Sequence, residues 1–93
     1  MIPLLAPIPL PEARSILRLT AEYYAPSSRF DRLEIGMADA VLMASAGAFA
    51  ETRGELHSLA RRCVRLSVAA SGIVGDVLRF VAAVMFRAAR GVA

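Results

Sequence analysis

Apolar residues recur along most of this chain at intervals of three and four, with almost no alternating, strand-like stretch, so the pattern predicts an all-α protein. A first helix is expected over 11–24. Pro11 suits the first helical position, Glu12 favours the positive end of the dipole, and Ile16, Leu19 and Tyr23, with Thr20 beside them, share one side. Arg14 and Arg18 occupy the other side, Pro26 ends the helix, and Ser28 to Asp31 has the form of a capping box with the shorter acid.

A second helix is expected over 28–52. Leu33, Met37, Ala40, Ala44 and Gly47 recur as a heptad seam of progressively smaller residues, and Gly36, Ala40, Ala44 and Ala48 form a small-residue ridge that lets another helix backbone come close. A second apolar line, Ile35, Leu42 and Phe49, lies elsewhere on the cylinder, and no charge stands between Asp39 and Glu51. Thr52 to Glu55 is a further capping box, so a third helix is expected over 53–90, turned back on the second as a long hairpin and open to a break at Gly72 or Gly75.

Ahead of these helices, residues 1–10 form an apolar arm. Pro3, Pro7, Pro9 and Pro11 prevent the helical core of an export signal and favour an extended, polyproline-like segment presenting Ile2, Leu4, Leu5, Ile8 and Leu10. Five large aliphatics are costly to leave in water, so the arm is expected to dock.

Composition sharpens this picture. Across 93 residues the chain is 57% hydrophobic and 20% charged with a mean hydropathy of +0.55, which excludes disorder of the whole and points to apolar surface covered by another copy, another protein or lipid. All eleven basic residues are Arg, with no Lys, Asn or Gln and eighteen Ala, a bias expected of a GC-rich, bacterial genome rather than of phosphate recognition. The net charge of +3 is dispersed except at Arg61, Arg62 and Arg65, the candidate anion contacts. One cysteine, Cys63, allows no internal disulfide, which suits a reducing interior.

Residues 66–86 are close to the length and hydropathy of a membrane span, and Ser67, Ser71 and Gly75 repeat a small-residue spacing, but Asp76 and Arg79 stand in the middle. Residues 59–80 have the texture of a helix-turn-helix that fails at the turn, where Val64 replaces a small residue, and the reading helix offers no Asn, Gln or Lys to base edges. His57 and Cys63, six apart, point in different directions on a helix. No phosphate loop, serine elbow or metal-ligand spacing accompanies them, so no cofactor or metal is expected.

The sequence therefore implies a non-enzymatic, self-associating or docking subunit of a larger bacterial or phage-like assembly. It would be intracellular, cytoplasmic or associated with the inner membrane. Its interface is expected on the Leu33 to Gly47 seam, the Ser67, Ser71 and Gly75 spacing and the Ile2 to Leu10 arm. A small membrane subunit spanning through 66–86 and an Arg-dependent nucleic-acid accessory are the alternatives.

Overall fold

The computed structural model describes residues 6–25, 36–70 and 72–92. Within them the chain forms four helices and no strand: α1, Leu10–Tyr24; α2, Met37–Phe49; α3, Arg53–Ala69; and α4, Gly72–Ala89. Each begins where local chemistry allows it. Pro11 stands in the first turn of α1, whose N-cap Pro9 has the polyproline conformation (φ −55°, ψ 139°). Gly36 takes the left-handed conformation (φ 95°) that turns the chain into α2. The α3 capping box is complete: the Glu55 amide donates to Thr52 Oγ1 at 3.1 Å and the Thr52 amide donates to Glu55 Oε1 at 3.2 Å. Gly72, at φ 60°, opens α4.

Neighbouring helices run in opposite directions. The Arg14 guanidinium near the start of α1 meets the carbonyl of Ala50 at the end of α2, so these two are antiparallel. Gly36 and Asp39 at the start of α2 share a recess with Leu66, Ala69 and Ala70 at the end of α3. The His57 ring, early in α3, lies 5.9 Å from that of Phe86, late in α4. Leu19 to Tyr24 lie beside Ile73 to Phe80, which sets α1 antiparallel to α4 as well. The result is an up-down-up-down arrangement in which α4 packs against the other three helices. Its most deeply buried residues include Val74, Leu78, Val81 and Met85, and Leu17 of α1 and Leu56 of α3 complete the centre.

Several expectations need correction. The side of α1 that enters the core is Ala13, Leu17 and Ala21, leaving Leu19 and Tyr23 exposed. Two alanines one turn either side of a leucine let the neighbouring helix approach closely, and that geometry wins over the larger side chains. The second helix is shorter than 28–52: it starts at Met37 and stops at Phe49, with Ala50 in an extended conformation (φ −66°, ψ 140°). The helix expected over 53–90 is two helices. Ala70 leaves α3 extended, and Gly72 in the left-handed region restarts the chain. Gly75 breaks nothing and lies buried inside α4. The hairpin is therefore formed most extensively by α3 and α4, while α2 also folds back along α3.

The same break corrects the span expected over 66–86, because its first residues finish α3 and the rest begin the antiparallel α4. No helix among the described residues is long and apolar enough to cross a membrane. It also divides the Ser67, Ser71 and Gly75 spacing. Ser67 is buried on α3 with its hydroxyl donating to the Val64 carbonyl at 2.7 Å, Gly75 is on α4, and Ser71 lies outside the described residues. α3 continues as one helix through Val64, where a helix-turn-helix would have its turn.

Candidate interaction surfaces

The heptad seam of α2 is present, and its own chain covers it. Met37, Ala40, Ala44 and Gly47 are all buried. A Cβ on Gly47 would stand 2.7 Å from Met85 Sδ and 3.0 Å from Leu17 Cδ1, so the absence of a side chain there is what lets α1 and α4 close over the seam. Leu33 lies outside the described residues.

The arm behaves in the same way. Ile8 is buried, its amide donates to the Arg87 carbonyl at 3.3 Å, and Leu10 packs against the core from the first turn of α1. Arg87 Nε donates in turn to the Ala6 carbonyl at 2.8 Å. The described part of the arm is thus docked on the end of α4, and Ile2, Leu4 and Leu5 lie outside the described residues.

Sequence reasoning missed what the arginines do. Arg14 Nη2 donates to the Ala50 carbonyl at 3.0 Å, and Arg53 Nε donates to the carbonyls of Ala89 and Val92 at 3.1 and 3.0 Å. The last carbonyls of a helix lack intrahelical donors and carry the negative end of its dipole, so a guanidinium arriving from a neighbouring helix satisfies both. α2 has no basic residue in its own last turn, and the visible hint was a cation near the start of each preceding or following helix.

Among the described residues, three surfaces offer candidate sites. On α2, Ala38, Leu42, Ala46 and Phe49 are exposed, with Leu42 61% and Phe49 83% accessible. Their spacings of four, four and three put them within a quarter turn of one another, with the exposed Asp39 at the border of the face. Between α1 and α4, Leu19, Tyr23, Ile73 and Phe80 line a groove of about 530 Å³ that Tyr24 and Asp76 help to close. The Tyr23 and Tyr24 rings meet edge to face, 4.8 Å apart. Asp76 pairs with Arg79 at 2.6 Å on the exposed side of α4.

The third surface is on α3, where Gly54, His57, Ser58, Arg61 and Arg65 line a recess of about 360 Å³. It takes in two of the three candidate anion contacts and leaves Arg62 out, because adjacent helical residues point about 100° apart. Cys63 is fully buried, and desolvation pushes its thiol up to about 11 from 9.0. Its thiolate is therefore scarce at neutral pH. Among the described residues no three His, Cys, Asp or Glu side chains come together as a metal site.

The chain matches no family model, no curated protein and no solved structure.

Proposed function

We propose that this chain is a non-enzymatic helical subunit that pairs with a second copy of itself through the outer face of α2, as a building block of a larger intracellular assembly, bacterial or phage-like in kind. The observation that carries this reading is the order of side chains along that face: Ala38, Leu42, Ala46, Phe49, small then large then small then large. Reversing the order gives its complement. When two such faces meet antiparallel about a two-fold axis, Phe49 of each copy falls against Ala38 of the other, and Leu42 against Ser45 and Ala46.

Charge does not oppose the same occupant. Asp39 borders this face near its start, so a two-fold axis at the middle of the helix sets the two carboxylates roughly 13 Å apart along it, at 1.5 Å per residue. α2 is roughly 20 Å long at 1.5 Å per residue, which gives a contact toward the small end of stable interfaces, so the pairing is weak and concentration-dependent. The buried small-residue seam contributes indirectly, by holding α2 rigidly with its opposite side outward.

Leu42→Glu tests the reading, since Leu42 is exposed in the single chain and the change leaves the core intact. In sedimentation velocity over micromolar to millimolar protein, the parent should shift from monomer to dimer and the variant should remain monomeric with unchanged helicity. A parent that stays monomeric throughout, or a variant that dimerises as the parent does, overturns it.

A further inference from the structure

We infer that the α3 recess lined by Gly54, His57, Ser58, Arg61 and Arg65 is a binding site for a small phosphate-bearing ligand. His57, Arg61 and Arg65 are spaced by four, so they form one row along the helix, and Ser58 flanks it. Neither Arg61 nor Arg65 forms an ion pair or hydrogen bond with a described residue. This sets them apart from Arg14, Arg53 and Arg87, each committed to a backbone carbonyl, and from Arg79, committed to Asp76.

Two like charges at this spacing repel across one helix face, and a dianion between them removes the repulsion while accepting from both. The nearby carboxylate does not compete for that role. Glu55 Oε1 already accepts from the Thr52 amide, the Thr52 hydroxyl and the Glu51 amide, at 3.2, 2.9 and 3.4 Å, in the capping box.

The other walls fit the same ligand. His57 is half-buried with its ring tilted against Phe86, which fixes the imidazole at the edge of the recess, and it has no hydrogen bond to a described residue. Its N–H and the Ser58 hydroxyl are further donors to phosphate oxygens. Gly54 has nothing within 4 Å of where a Cβ would stand, so the end of the recess nearest the start of α3 is open. The volume accommodates one or two phosphate groups with their water.

Arg62 supplies an internal control, being next to Arg61 in sequence, equally charged, exposed, and outside the recess. Inorganic phosphate, pyrophosphate and vesicles containing phosphatidic acid are the probes, followed by calorimetry and by amide shifts in two-dimensional NMR of the full chain. Saturable binding of pyrophosphate is expected, with shifts confined to the first four turns of α3. Arg61→Ala and Arg65→Ala should each weaken it at least about tenfold, and Arg62→Ala should change it by less than about twofold.

Binding to vesicles with none to the soluble anions would assign the phosphate to a lipid headgroup and overturn the small ligand. Equal losses from all three arginine changes would reduce the effect to diffuse attraction and overturn the site, as would the absence of saturation. Binding only to a long nucleic acid, falling steeply with salt, would overturn it in favour of a polyanion surface. The recess and the outer face of α2 are separate, so the Leu42→Glu variant should bind pyrophosphate like the parent whatever its oligomeric state.

Discussion

The two ends of the helical arrangement are held together differently. Where the arm docks, α2 and α4 finish, and their final carbonyls are met by Arg14 and Arg53 from other helices while Arg87 holds the carbonyl of Ala6. At the opposite end, where α1 and α3 finish, no hydrogen bond or ion pair joins one helix to another among the described residues. Leu19, Tyr23, Ile73 and Phe80 stand open around a groove there. The difference teaches that a guanidinium on a long apolar stem is a structural connector in this protein. It crosses part-buried ground to reach carbonyls that would otherwise lose their hydrogen bonds to water.

The largest effect should come from removing the connectors together. Arg14→Met, Arg53→Met and Arg87→Met keep the stems and delete the donors. Each takes away a charge-assisted bond of about 1.5–3 kcal/mol, partly offset by solvent, so the triple variant should lose about 3–5 kcal/mol in urea unfolding. Arg61→Met, Arg62→Met and Arg65→Met make the same change of charge and should cost less than about 1 kcal/mol in all. Equal losses from the two triples would mean that net charge, rather than the carbonyl contacts, separates the ends.

The glycines divide in the same sense, with smaller effects. Gly36, at the open end, has φ 95° and a would-be Cβ 3.2 Å from Val74 Cγ1. Gly36→Ala should therefore destabilise by about 1–2 kcal/mol, from the left-handed backbone and the crowding together. Gly54, at the connected end, is helical and faces open space, so Gly54→Ala should raise stability by about 0.5–1 kcal/mol. Thermal unfolding of the two variants must move in opposite directions. Two shifts of the same sign would show that the backbone at the open end is not constrained as described.

How much of this was readable in the sequence depends on the range of the interaction. Helix starts were legible where the signal is local: Pro11 and Glu12 place α1, and the Thr52 to Glu55 box places α3 to the residue. The small-residue seam was legible too, as a face that needs a close neighbour. Its neighbour was not, because a periodicity names the face and cannot say whether α1, α4 or a second copy will cover it. Gly72 was legible as a possible break, but the apolar run around it reads the same whether it continues or folds back, and only the left-handed φ of Gly72 settles that. The choice of face on α1 failed for a related reason. Leu19 and Tyr23 dominate a hydrophobicity pattern, whereas the packing selects Ala13 and Ala21 for closeness. Of the three candidate anion contacts, Arg61 and Arg65 line one recess and Arg62 does not, since proximity in sequence is not proximity on a helix.

The last effect is absent at neutral pH and concerns the core that both ends share, and its sign follows from one thiol. Cys63 lies in the buried row Leu56, Ala60, Cys63, Ser67 of α3, and burial raises its pKa from 9.0 to about 11. The folded chain therefore keeps a proton that the unfolded chain gives up first. That contribution to stability is fully present below pH 9, declines as the unfolded thiol ionises, and is lost as pH rises past about 11. Urea midpoints should fall over this interval in the parent. In Cys63→Ala, which has no thiol to ionise, they should fall less, although its starting midpoint is lowered by the small cavity. The exposed Tyr23 ring and the arginines are common to both chains, so the comparison isolates the thiol. Identical pH dependence in the two would show that the α3–α4 contact admits water at Cys63, and the centre of the molecule would then resemble its open end more than its connected one.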